Sequence, residues 1–213
     1  MSSLPKTIPT SLFAPDMGAP AEQTIEARIG PNSVLQLAQV LDACVGEAAR
    51  HRLLIEAGLS ALPPDNGLMP EGPAARLHQA LRQRYPDQAS TLAQEAGERT
   101  GDYILAHRIP PFAQRLLRIL PRPLATRMLA DAIGRHAWTF AGSGEFRVLR
   151  RRPLTFALYD NPIVRGEKAD SALCHWHAAV FQRLFNTLVS PDIRCTETHC
   201  CALGAPACRF IVQ

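Results

Sequence analysis

Four residues near the end of this 213-residue chain have the chemistry of a tetrahedral metal site: Cys174, Glu197, Cys200 and Cys208. Zinc accepts thiolates together with an occasional carboxylate, and a shell closed by three thiolates and one carboxylate leaves no position for water or substrate. Such a shell is structural, because an ion held only by the native state stabilises that state directly. Spare donors stand nearby in His175, His177, His199, Cys195 and Cys201.

Spacing alone leaves several readings open. Glu-x2-Cys-x7-Cys is not one of the common zinc-finger spacings. Four clustered cysteines would also serve an iron–sulfur cluster, and free cysteine packs as a small hydrophobe, which suits Cys44, Cys195 and Cys201 as core residues. Disulfides are a further reading. Against them, Met1 to Asp16 carries Pro and Ser where a secretory leader needs an apolar run, so the expected home is a reducing cytoplasm.

The elements that must position the four donors lie in the last third. Leu203-Gly204-Ala205-Pro206 is a turn signal between two β-prone runs, which predicts a hairpin with arms at 194–200 and 207–212. Leu173, Trp176, Val180, Leu184 and Leu188 share one face at helical spacing. A helix is therefore expected over 171–188, with Cys174 in its first turn. Alternation in Phe146-Val148 and Leu154-Phe156-Leu158 predicts a further hairpin turning at Arg150 to Pro153.

Upstream the pattern is helical. Pro5, Pro9, Pro15 and Pro20 imply a loose arm over residues 1–24. Asn32 or Ser33 is expected to cap one long helix, 33–57, that carries Val34, Leu37, Leu41, Val45 and Ala48 on a stripe and stops at Gly58. Turns are expected at 63–67 and 69–73. Helices follow over 74–85, 88–107, 112–119 and 122–140. The sum is an α+β domain over 25–213: a helical part, 25–141, packed on an antiparallel sheet built from hairpins in 142–213.

The ending Glu197-x2-Cys200-x3-Gly204-x-Pro206-x-Cys208-Arg209-Phe210 resembles the terminal motif of the 4-vinyl reductase domain family of small-molecule-binding modules. Members that sense aromatic compounds hold a zinc with one Glu and three Cys. The resemblance implies that Cys174, Glu197, Cys200 and Cys208 hold a structural zinc here. It also implies the same α+β fold and a homodimer, with the helix at 33–57 or the N-terminal arm as its contact. The members that named the family act in bacteriochlorophyll biosynthesis. The function expected from them is binding a magnesium tetrapyrrole in an apolar pocket between sheet and helices and delivering it to, or assisting, enzymes of that pathway. The alternative is reduction of the 8-vinyl (formerly 4-vinyl) group of a divinyl chlorophyllide.

Composition and missing motifs favour the first of these. At 46% hydrophobic and 20% charged the chain can bury a core without disulfides, and no apolar run approaches the ~20 residues of a membrane span. The chain has no Rossmann glycine fingerprint, phosphate loop or nucleophile elbow. Gly142-Ser143-Gly144 follows a helix and precedes a strand, the wrong order for nucleotide binding, and reads as a surface turn. Hydride transfer would need a nicotinamide or flavin donor for which no signature exists. His175 and His177 point about 200° apart on a helix and cannot serve one site. The candidates to contact a tetrapyrrole are His136, as an axial ligand beside Trp138 and Phe140, together with Arg150 and Trp176. The run Arg147 to Arg152 reads as a solvated strand end and not a nucleic-acid surface. Its guanidinium forks also suit propionate carboxylates.

Overall fold

The computed structural model describes residues 26–213, so the arm expected over residues 1–24 lies outside them. The chain runs β1 (Arg28–Ile29), α1 (Asn32–Cys44), α2 (Glu47–Glu56), β2 (Met69–Pro70), α3 (Glu71–Arg84), α4 (Ala89–His107), α5 (Pro111–Ile119) and α6 (Arg122–Arg135). It continues α7 (Trp138–Ala141), β3 (Glu145–Arg151), β4 (Leu154–Tyr159), α8 (His175–Leu188), β5 (Cys195–His199) and β6 (Ala207–Val212). This is the expected α+β order of helices, hairpin, helix and hairpin.

Four corrections concern local backbone. The single helix expected over 33–57 is two, because Gly46 takes φ +88°, a left-handed conformation that ends α1 and starts α2 in a new direction. Position 31, a proline with no side-chain cap bond, precedes the first turn of α1 where an Asn or Ser cap was expected. The helix expected over 122–140 breaks at His136–Ala137 into α6 and the one-turn α7. Met69–Pro70, expected as turn, pairs with Arg28–Ile29 as a two-residue ribbon, closed by the Glu71 N–H donating to Ala27 O at 2.9 Å.

The two C-terminal hairpins form one antiparallel sheet in the order β3-β4-β6-β5. β4 pairs with β6 along its whole length, Leu154 opposite Val212 through to Tyr159 opposite Ala207. β3 runs to Arg151 past a register shift between Val148 and Arg150, so Arg150 lies in the strand and not in the turn.

Aromatic rings fill the layer between this sheet and α8. Phe156 and Phe210 from the sheet meet Phe181 at ring distances of 5.1 and 5.4 Å, and Phe140 of α7 closes on Phe181 at 5.6 Å. All but Phe140 are fully buried. The space in which an apolar pocket was expected is thus packed core.

α8 is held from its other side by α4. Gly97 and Gly101, one turn apart, let α8 approach closely: a Cβ on Gly97 would lie 2.4 Å from Trp176 O. Trp176 Nε1 donates to Thr100 Oγ1 at 3.2 Å on the same face. Gly142-Ser143-Gly144 is the expected surface turn. The Ser143 N–H donates to the Glu71 carboxylate at 2.7 Å, and Arg165 bridges Glu71 and Asp160. Among the described residues no helix is long and apolar enough to cross a membrane.

Candidate metal centre

Each donor of the cluster arrives on a different piece of backbone. Cys174 is the residue just before the first turn of α8, one position outside the helix in which it was expected. Glu197 lies on β5 beside a register shift between Glu197 and His199, an irregularity that re-aims side chains at the strand end. Cys200 precedes a short 3-10 turn, Cys201–Leu203, which ends at Gly204 in the left-handed conformation, φ +84°. Cys208 is the second residue of β6.

The sequence-expected four converge: one ligand atom from each lies within 4.8 Å of the others. Cys174 Sγ is 3.3 Å from Cys208 Sγ and 4.0 Å from Cys200 Sγ, and all three cysteines are buried. Glu197 Oε2 accepts from the Cys174 backbone N–H at 2.8 Å, tying β5 to the start of α8. Its other oxygen, Oε1, is buried without a hydrogen-bond partner.

The electrostatics point to a cation. Burial pushes the Cys174 thiol well above its ordinary pKa, with the other thiols and Glu197 adding to the shift. Burial also lifts Glu197 to about 7. Contact with Cys174 and Cys208 drives Cys200 far down as the hydrogen-bond acceptor. Cys208 is pulled down by Cys174 but pushed up further by Cys200 and burial. Without a positive charge among them the four groups cannot all ionise. Three buried sulfurs, an orphaned carboxylate oxygen and this mutual repulsion fit a cluster that can hold a metal ion.

Sequence reasoning missed the residue beneath the cluster. Asn161, fully buried, donates from Nδ2 to Cys174 Sγ at 3.2 Å and Cys208 Sγ at 3.6 Å. Its Oδ1 accepts from the Ile163 N–H at 3.1 Å. The Cys201 N–H adds a bond to Cys208 Sγ at 3.4 Å. Such outer partners orient sulfur ligands and ease their negative charge. The only signal in the sequence was Asp160-Asn161-Pro162 after a strand, which reads as an ordinary turn.

Among the spare donors, Cys195 and Cys201 are half-buried against the core, and burial raises Cys195 to about 12. Cys44, expected as core, is exposed at the end of α1, because its position falls off the buried stripe of that helix. His175 and His177 diverge as their spacing requires. His175 lines a surface hollow of about 260 Å³ beside Glu197, while His177 is buried among Trp176, Phe140 and Phe210. Neither ring nitrogen of His177 has a hydrogen-bond partner, and burial holds its pKa down at about 4.

The residues expected to contact a tetrapyrrole fall into two groups. His136, Trp138 and Arg150 are exposed, and His136 Nδ1 is 2.9 Å from Ala132 O. Phe140 and Trp176 are interior and flank His177.

A buried three-Cys, one-Glu cluster, closed by a C-terminal hairpin against a helix start, defines a class of domain. Residues 154–213 match the model of the 4-vinyl reductase domain family. Over 193 residues, 91% of this chain and 92% of the relative, it is 55% identical to the "Bacteriochlorophyll synthase 23 kDa chain" of Cereibacter sphaeroides. It is 49% identical to the protein of the same name from Rhodobacter capsulatus, covering 92% of this chain and 91% of that one. The chain belongs to the 4-vinyl reductase domain family together with these proteins, as the ending from Glu197 to Phe210 implied.

Solved structures share the fold at far lower identity. The Fe(II) unliganded H-NOX protein from K. algicida superposes with a TM-score of 0.56 at 14% identity, over 87% of this chain and 96% of that one. The Fe(II)NO form of an H-NOX protein from S. oneidensis gives 0.51 at 12% identity, over 87% and 98%. At these identities the likeness is one of fold alone.

Proposed function

We propose that this protein is an accessory factor of bacteriochlorophyll biosynthesis that binds a magnesium tetrapyrrole intermediate and delivers it to, or assists, an enzyme of the pathway. A structural zinc on Cys174, Glu197, Cys200 and Cys208 staples its domain. One observation carries the reading: the buried cluster has a full set of four protein donors, in a chain whose near-full-length relatives are named for bacteriochlorophyll synthesis. Zinc bonded to sulfur at ~2.3 Å sets tetrahedral sulfurs about 3.8 Å apart. The separations of 3.3 and 4.0 Å straddle that value. A shell so filled offers a substrate no open position, so the metal supports the fold and the ligand binds elsewhere.

Phenylalanines fill the interlayer space, so the pigment is assigned to the flank made by the end of α6, α7 and the edge strand β3. His136 and Trp138 are exposed there, and Arg150 offers a guanidinium fork for a propionate. Phe140 lies just inside, with Trp176 behind it across His177. A homodimer follows from the family resemblance. α1 buries Val34, Leu37, Val40 and Leu41 in its own core, which leaves α2 or the N-terminal arm as the contact.

Absorption spectroscopy tests the reading. Titrating purified protein into a magnesium porphyrin is expected to shift and saturate the Soret band. Addition of NADPH with divinyl chlorophyllide is expected to leave the vinyl band in place. An unchanged Soret band would remove the carrier function, and conversion of vinyl to ethyl would replace it with a reductase.

A further inference from the structure

The α5–α6 corner breaks the usual rule of burial more than any other surface described. Of the nine residues of α5 only Leu117 is buried, while Phe112 is 73% exposed and Ile119 is 79% exposed. Phe112, Leu116 and Ile119 recur at i, i+4 and i+7, so they form one apolar stripe that faces solvent. Leu124 and Met128 of α6, at i and i+4, are exposed as well, and only Leu120 and Pro121 separate the two helices. Exposed apolar side chains gathered in this way mark an interaction site.

The charge around the stripe is of one sign. From Tyr103 to Ala130 the chain holds Arg108, Arg115, Arg118, Arg122 and Arg127 and no Asp or Glu. Two acidic residues reach its edge from outside: Asp192 pairs with Arg122 at 3.1 Å, and Asp131 lies 4.0 Å from Arg127. Arg118 donates to Thr187 O at 3.2 Å, which tacks α5 onto the end of α8.

We propose that this corner is a membrane-surface docking site, in which Phe112, Leu116, Ile119, Leu124 and Met128 insert into the headgroup region of a bilayer while the surrounding arginines pair with anionic phospholipid. A short amphipathic helix with large apolar side chains on one face and arginines beside them is the pattern of interfacial binding. A second copy of the chain is a poor occupant. Two-fold pairing sets the same patch against itself and so sets arginine against arginine. An anionic lipid surface matches the charge and accepts the apolar stripe at once. The site is separate from the metal cluster and would hold whichever ligand the protein carries.

Flotation of the full chain with vesicles tests this. Phosphatidylglycerol-containing vesicles are expected to carry the wild-type protein in low salt, with pure phosphatidylcholine vesicles carrying far less. High salt should release the protein, because headgroup pairing is screened. Phe112→Ser with Ile119→Ser, and separately Arg115→Gln with Arg127→Gln, should each lower the bound fraction on the order of tenfold or more. Melting temperatures should not change, because all four side chains are exposed. Equal flotation with both vesicle types, or variants that float like the wild type, would overturn the proposal. So would a serine pair that changes the oligomeric state with no vesicle binding by either protein, since the corner would then be a subunit contact.

Discussion

The metal cluster and the α5–α6 corner depart from the oil-in, water-out rule in opposite directions. The cluster buries four ionisable donors, with the three cysteines at 1% exposure or less, under a sheet and a helix start. The corner exposes five large apolar side chains on two consecutive helices. A folded chain bears either cost only when something compensates it: a cation in the first case, an apolar surface in the second. The fold separates the two functions, with the cluster fixing the C-terminal layer and the corner left free to dock.

The sharpest way to break the comparison is to remove a cluster ligand. Cys200→Ala is expected to lose the metal and at least about 4 kcal/mol of stability, because binding energy of a structural ion is also folding energy. A melting scan with and without chelator checks this, and a variant that melts with the wild type would remove the cluster from the account of stability. Next comes the seam behind the cluster. Gly97→Ala places a methyl 2.4 Å from the Trp176 carbonyl oxygen, and forcing α4 from α8 should cost about 2–3 kcal/mol. Denaturant unfolding measures that loss, and metal content should stay unchanged.

Asn161→Ala separates the two layers of the metal site. It leaves the Ile163 N–H and two sulfurs without their donor or acceptor partner, for an expected loss of about 1–3 kcal/mol. Metal affinity, followed by chelator competition, should fall about 10- to 100-fold. No loss of affinity would make Asn161 a turn residue only.

A smaller effect comes from pH and lies away from the cluster. His78 is buried at the α1–α3 contact, its Nε2 3.1 Å from Ser33 O. Burial first, then repulsion from Arg82 and, less strongly, His177, lower its pKa from 6.5 to about 3. Between those values the unfolded chain takes a proton that the native state refuses, so stability is full above pH 6.5 and falls as pH drops. From pH 7 to 5 this amounts to roughly 2 kcal/mol, and His78→Gln should flatten the decline in melting temperature over that range. The smallest effect belongs to the corner: Phe112→Ser with Ile119→Ser should shift stability by no more than about 0.5 kcal/mol while removing vesicle binding.

The cluster was readable from sequence because its hairpin announces itself through Gly204-Ala205-Pro206 and its donors sit at fixed offsets around that turn. α8, β3 and β4 were readable from apolar periodicity. Events decided by backbone conformation or by tertiary contact were not. Gly46 interrupts a stripe whose helical spacing continues on both sides, so periodicity carried straight across it. The break at His136–Ala137 has no Gly or Pro to mark it. β1 and β2 are two residues each and exist only because distant segments meet. Asn161 looks like any asparagine before a proline until Cys174 and Cys208 are brought over it. The exposed stripe of α5 has the same spacing as a buried one, and sequence alone does not say which face turns outward.

Elemental mass spectrometry of the purified wild type beside Cys200→Ala, with an absorption spectrum of each, tests the metal-stapled domain most directly. The expected result is about one zinc per wild-type chain, no metal in the variant and no iron–sulfur absorption in either. Wild-type protein that folds with no bound metal, or that carries iron with sulfide absorption, would contradict it.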